Sequence, residues 1–221
     1  ANITNPSLQN QTITFNSLSP VTYGDADFNL SATASSGLPV SYSSSDESIV
    51  TIVGNTVTIV GAGTVTITAT QPGNGFYNPA TPVAQQLVVN PKELSVINAV
   101  AQDKEYDRTN FATISGATLS GVVGADDVQL SGGGAFINEF AGTNKPVITS
   151  YTLSGSDASN YLLTQPSGLA ANIFTKELTV TGLTVISKVF DGNTSATLSG
   201  TPALNGIVTG DEADVSLSGT P

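Results

Sequence analysis

An all-β fold, built as tandem immunoglobulin-like β-sandwich domains in an elongated rod, is the architecture this sequence predicts. Three observations predict it. Charged residues make up only 10% of the 221 residues while hydrophobic ones reach 39%, and Ser, Thr, Asn and Gly supply most of the remainder. Apolar and polar side chains alternate with a period of two along many short stretches, which puts one face of each stretch inside and the other in water. A stretch of some forty residues then recurs at a spacing of 84, which marks a building block used more than once. Thr and Val are β-branched and suit a pleated surface, whereas long solvated helices would want far more Glu, Lys and Arg.

The elements follow in order. "QTITF" (11–15), "FNLSAT" (28–33), "PVSYSS" (39–44), "TVTIV" (56–60), "TVTITAT" (64–70) and "QQLVV" (85–89) each alternate as half-buried strands do. "SIVTIV" and "TVTIV" flank Gly54-Asn55, a two-residue connection suited to a tight hairpin. Six or seven short strands with turn signals every eight to twelve residues indicate a β-sandwich over 1–90. "PKELSV" at 91–96 returns as "TKELTV" at 175–180, a spacing of 84. "GADDVQLSG" (124–132) returns as "GDEADVSLSG" (210–219) after a three-residue insertion. The expected units are therefore 1–90, 91–174 and 175–221. The third stops where the second has run about half its length, so it reads as the truncated first half of another repeat. Neither joint, Asn90-Pro91 nor Thr175, contains a long flexible tether, so the array reads as semi-rigid.

The heart of the repeat is "KEYDRTNFATISG" (104–116) against "KVFDGNTSATLSG" (188–200). Lys104, Tyr106 and Asp107 in one copy stand where Lys188, Phe190 and Asp191 stand in the other. The aromatic residue ends an apolar run, and the Asp takes a turn position where its carboxylate accepts backbone N–H groups. Gly192 tolerates a positive φ there; Arg108 occupies the same place in the other copy, so the two turns are expected to differ.

Those residues resemble the bacterial repeat family named for its Tyr-Asp-Gly turn, and "SNYLLTQPSGLAANI" closes the second unit in keeping with it. The first unit resembles bacterial immunoglobulin-like repeats through "QTITFNSLSPVTYGDADFNLSATASSGLPVSYSS" and "GNTVTIVGAGTVTITATQPG". Such repeats occur in tandem in very large secreted surface proteins, many of them adhesins, including adhesins of gliding bacteria. The resemblance implies a β-sandwich fold, an extracellular place at a bacterial cell surface and a structural stalk that spaces a distal tip from the cell envelope. Its partners would be adjacent repeats of the same longer chain. It implies no catalytic residues. The alternative is a module that itself binds a surface glycan or protein in adhesion. Among the aromatic residues, "GNGFYNPA" (73–80) is the best exposed-loop candidate for such binding.

Composition excludes several classes. The chain has no His and no Cys, so Ser-His-Asp and Cys-His catalysis, disulfides and thiolate chemistry are closed to it. A non-enzymatic role is expected. Seventeen acids against six bases give a net charge of −11, and no clustered positive surface is visible for nucleic acid or an anionic membrane. No apolar run approaches the roughly 20 residues that span a bilayer, so no membrane insertion is expected. The chain begins with Ala1 and contains no Met, and reads as a mature product or an excised fragment.

No cofactor is expected, with calcium as the one candidate. Asp25 and Asp27 fall on alternate positions of "GDADFNL", Asp126 and Asp127 form an acidic turn, and Asp211 and Asp214 form its counterpart in the next copy. Calcium takes six to eight oxygens, of which such turns supply part. Covalent Lys–Asn cross-links are impossible within the first unit, which holds neither Lys nor Arg.

Overall fold

A computed structural model describes residues 7–218. Every extended element in it is a β-strand, and the one helical turn is a 3₁₀ turn at Ala158–Asn160. The all-β expectation holds. No helix among the described residues is long and apolar enough to cross a membrane.

The chain divides into two compact units that are not contiguous in sequence: 1–96 with 119–131 and 152–164, and 97–118 with 132–151 and 165–221. In the first, a four-stranded sheet runs in the order Val21–Thr22, Val83–Asn90, Gly63–Thr70, Ser41–Ser44. Its long central pair is antiparallel from Gly63↔Val89 to Ala69↔Val83. Alternation places Val65, Ile67 and Ala69 from one strand and Leu87 and Val89 from the other inside, each at most 1% exposed. A three-stranded sheet, Phe28–Asn29, Thr56–Ile59, Val50–Val53, contributes Val50 and Val57 to the same core. The hairpin between its last two strands turns at Gly54, whose φ of 65° with an ordinary Asn55 matches a type II′ connection. The expected strand over 28–33 is broken: Phe28–Asn29 pairs with one neighbour and Ala32–Ala34 with Ile13–Phe15.

A third sheet of this unit, Thr118–Ser120, Lys92–Ile97, Tyr161–Thr164, is parallel where Lys92 faces Tyr161 and Leu94 faces Leu163. Leu94 and Tyr161 belong to the same hydrophobic cluster as Ile13 and Leu87. Residues on the far side of Pro91 thus complete the core that begins in the N-terminal ninety.

The second unit is built on a five-stranded sheet in the order Lys104–Glu105, Ala170–Phe174, Gly142–Thr149, Gly134–Phe136, Phe111–Ala112. Its core is small: Ala112, Phe136, Val147, Ala171 and Ile173. Gly134 is dictated by packing, since a Cβ there would lie 2.8 Å from Val147 and 2.9 Å from Ile114. Residues 175–218 form a long hairpin, Thr179–Ile186 with Thr197–Asn205. Nearly all of it is exposed, including Val180 at 51% and Phe190 at 93%.

Candidate functional site

Both copies of the repeated turn fold alike. Lys104 donates from Nζ to Asp107 Oδ1 at 2.7 Å and to the Thr109 carbonyl at 2.7 Å. Lys188 donates to Asp191 Oδ1 at 2.9 Å and to the Asn193 carbonyl at 3.0 Å. In each copy the same carboxylate oxygen accepts the backbone N–H two residues on, from Thr109 at 2.9 Å and from Asn193 at 3.1 Å. These bonds, led by the one from Lys104, hold the Asp107 carboxyl down to about 2. Lys188 likewise lowers Asp191.

The two turns were expected to differ, and they do not. Arg108 takes φ 63° where Gly192 takes 78°. Left-handed backbone costs an L-residue roughly 1–2 kcal/mol, and the lysine clamp on both sides of the position holds Arg108 there. A Cβ at Gly192 would meet nothing within 4 Å, so Gly192→Ala tests the backbone alone. It is expected to cost about 1 kcal/mol, read as roughly fivefold faster hydrogen exchange at Asn193 and Ser195.

A second constellation was not anticipated. Asp126 Oδ2 accepts the hydroxyl of Tyr23 at 2.8 Å and that of Tyr161 at 2.5 Å. The two rings meet edge to face with centroids 5.5 Å apart, and both tyrosines are more than nine-tenths buried. Tyr161 Oη also accepts the Val123 N–H at 2.9 Å. Both tyrosines and Leu94 belong to one buried hydrophobic cluster, against which Val122, Val123 and Val128 pack. Burial first, and the bond to Asp126 second, push both phenols up to about 12. The acidic turn that carries Asp126 is closed by its own N–H donating to the Val123 carbonyl at 3.1 Å.

The same turn recurs in the next copy, where the Asp211 N–H donates to the Val208 carbonyl at 3.0 Å. Tyr106 faces Asp211, and that contact raises its phenol. Arg108 pairs loosely with Asp211 at 3.4 Å, and Lys176 is bonded to Glu105. The aromatic residue of the repeat motif and the acidic turn one copy later therefore come together, although they were read as unrelated features.

Of the other calcium candidates, Asp25, Asp27 and Asp127 are engaged by protein donors. Asp25 accepts the Thr22 N–H at 2.8 Å, and Asp27 accepts the Thr58 hydroxyl at 2.8 Å. Asp127 accepts the Ser156 N–H at 3.2 Å. The Asp214 N–H donates to the Asp211 carbonyl at 3.0 Å. Among the described residues no three His, Cys, Asp or Glu side chains gather as a metal-sized group. Phe76, in the expected loop at 73–80, is 73% exposed. Lys145, not singled out in the sequence, is 9% exposed and donates to Asn138 Oδ1 at 2.5 Å, fixing the 138–140 turn.

Comparison with known families matches the YDG domain over residues 90–168 and 175–220, more than half of the chain. No curated protein matches it. The match corrects four expectations. Residues 1–89 lie outside it, so the wider resemblance to adhesin repeats, with an immunoglobulin-like first unit, does not stand as drawn. The adhesin-stalk function falls with that resemblance, as do the secreted, cell-adhesion and gliding-motility descriptors. Their compositional support was weak in physical terms, because a cysteine-poor, Thr- and Ser-rich surface suits any all-β chain in any compartment. The partner expectation is corrected too. The YDG name is also borne by SET- and RING-associated domains that bind modified DNA, so nucleic acid is not excluded on net charge alone. By the extent of its match, the chain belongs to the YDG-domain family.

Proposed function

We propose that this chain is a non-catalytic β-module protein whose YDG units act as association modules. Each unit offers an acidic turn in an apolar nest, and a tyrosine from another module closes on it. The finer architecture we propose is β-sandwich packing within each compact unit, with 91–174 and 175–221 as units of sequence repetition rather than as separate cores. One observation carries the reading. The Tyr23–Asp126 hydrogen bond bridges 103 residues of sequence, and Tyr106 and Asp211 stand together in the wall of one cavity one copy later. Residues that serve catalysis are normally built once; this pairing is built twice.

The test is a double-mutant cycle of Tyr23→Phe and Asp126→Asn, followed by hydrogen exchange in 20–24 and 121–128. The expected coupling is about 1–2 kcal/mol, as for residues in one hydrogen-bond network. Additive effects would overturn the reading.

A second reading, binding of nucleic acid, is favoured by the family name. Of six basic residues, Lys104, Arg108, Lys176 and Lys188 are held in ion pairs and Lys145 is buried against Asn138 and Phe140. Lys92 is the remaining one. Phosphate binding scales with the number of cations that can displace counterions, so charge here argues for little affinity. Fluorescence anisotropy with unmodified and hemimethylated duplexes at low salt separates the readings. Discrimination between the duplexes that survives added salt would establish nucleic-acid recognition and displace the association reading.

A further inference from the structure

Asn74 and Gly75 stand in the loop that joins the strands Gly63–Thr70 and Val83–Asn90, inside the first compact unit. The sequence holds two Asn-Gly pairs, here and at 205–206. An asparagine before a glycine has a reaction open to it that needs no other side chain. The glycine nitrogen attacks the asparagine side-chain carbonyl carbon, and no Cβ on the glycine obstructs the approach. Local geometry decides whether a folded chain permits that attack.

Three features of this loop favour it. Asn74 Oδ1 accepts the N–H of Phe76 at 2.8 Å and that of Tyr77 at 3.0 Å. These bonds bend the side chain forward over the Gly75 peptide, as in turns closed by an asparagine oxygen. Attack at Cγ places negative charge on that same oxygen, where the two donors already point. Gly75 is exposed, a Cβ there would meet nothing within 4 Å, and its φ lies outside the left-handed region. Among the described residues no acceptor holds the Gly75 N–H and no partner holds Asn74 Nδ2, so nucleophile and leaving nitrogen both face water.

We propose that Asn74 is a site of self-modification, converting through a succinimide to aspartate and isoaspartate with water as the only co-reactant. Solvent base removes the Gly75 amide proton, and the nitrogen forms a bond to Asn74 Cγ. The Cγ–Nδ2 bond then breaks, and that nitrogen leaves as ammonia after taking a proton from water. Water next opens the ring. Cleavage of the new N–Cγ bond gives aspartate. Cleavage of the original peptide C–N bond gives isoaspartate, whose main chain runs through the former side chain.

The two products differ in consequence. Aspartate keeps an oxygen at Oδ1, so the turn bonds persist and only a negative charge is added. The isoaspartate carboxylate hangs directly from Cα, too short to close the same turn on Phe76 and Tyr77. This loop holds the segment before the first strand: the Gln9 N–H donates to the Phe76 carbonyl at 2.8 Å, and the Asn78 N–H to the Gln9 carbonyl at 2.8 Å. Asn78 Nδ2 also donates to Asn10 Oδ1 at 2.9 Å. Conversion to isoaspartate therefore loosens residues 9–10 from the loop, and conversion to aspartate does not. None of this depends on the tyrosine nest.

The full chain is incubated in mildly alkaline buffer beside a capped peptide of residues 71–80, Gln-Pro-Gly-Asn-Gly-Phe-Tyr-Asn-Pro-Ala. Peptide mapping follows the amide-to-acid mass gain at 74 separately from that at 205, and resistance to Asp-directed cleavage marks the isoaspartate fraction. The donors act in water rather than in a dry site, so conversion at Asn74 is expected to run about threefold to tenfold faster in the folded chain than in the peptide. Gly75→Ala, for which the loop has room, is expected to slow it about tenfold by obstructing the approach of nitrogen to carbon. Hydrogen exchange at Gln9 and Asn78 should quicken about tenfold in the isoaspartate form and stay unchanged in Asn74→Asp. Conversion no faster in the folded chain than in the peptide overturns the proposal, as does a rate that Gly75→Ala leaves unchanged. An isoaspartate form whose Gln9 exchange matches that of the unmodified chain overturns the loosening.

Discussion

Replacing Asp126 by alanine is expected to destabilise the first compact unit by about 2–4 kcal/mol, which is a large fraction of what holds a small domain together. The estimate follows from what the carboxylate does. It accepts two tyrosine hydroxyls, at 2.8 and 2.5 Å, and hydrogen bonds to a charged acceptor contribute roughly 1.5–3 kcal/mol each. Both donors are buried, Tyr23 at 8% and Tyr161 at 7% exposure. Alanine therefore leaves two hydroxyls without their acceptor in an apolar nest, and water has little access to replace it. Asp126→Asn keeps one carbonyl oxygen in place and is expected to cost about half as much. Asp127→Ala is the control: its partners are the Ser156 N–H and Gln129, both at an exposed turn, and its cost should stay within about 1 kcal/mol. Thermal unfolding followed by near-ultraviolet tyrosine dichroism reads the difference, because two of the reporting rings sit in the nest. Equal effects for Asp126→Ala and Asp127→Ala would remove the special role of Asp126.

That role marks the boundary of what the sequence made legible. Period-two alternation placed the strands 64–70 and 85–89 within a residue or two of Gly63–Thr70 and Val83–Asn90, because burial on one face leaves its trace in every second residue. The Lys-x-aromatic-Asp turn was equally legible, since Lys104, Asp107 and Thr109 interact within six residues. Arg108 was misread because propensity at one position yielded to a clamp made by its neighbours. The nest was out of reach for a different reason. Strand patterns beside Tyr23 point to core or edge packing, which its burial bears out, but Asp126 looks like half of a calcium loop. What joins them is a contact across 103 residues, and no local pattern encodes which distant partner an aromatic hydroxyl will find. Repeats at a spacing of 84 told where a sequence unit begins. They were silent on which strands would share a core, and Leu94 and Tyr161 pack with Ile13 and Leu87.

The same pair of tyrosines sets an alkaline limit on stability. Their phenols stand at about 12 in the folded protein against 10.0 for the ordinary group. Below pH 10 both states keep these protons and the contribution is complete. Between pH 10 and 12 the unfolded chain gives up phenolic protons that the folded chain still holds, so unfolding releases protons and stability falls as pH rises. Each unit of difference corresponds to about 1.4 kcal/mol per group, so one tyrosine alone would account for roughly 2–3 kcal/mol across the window. The second adds less than that again, because both hydroxyls lean on one carboxylate and the first phenolate formed would open the site for the other. Asp157 adds its charge to that of Asp126 near both rings, and Lys92, whose chain lies beside Gly24, is the nearby cation. A total loss of about 3 kcal/mol is therefore expected by pH 12. Denaturant titrations at pH 9, 10, 11 and 12, with tyrosinate absorbance recorded in parallel, give the slope directly. Tyr23→Phe should start from lower stability and lose less of it over the same window. Stability that stays level to pH 12, or a slope that Tyr23→Phe leaves unchanged, would place the alkaline limit elsewhere in the molecule.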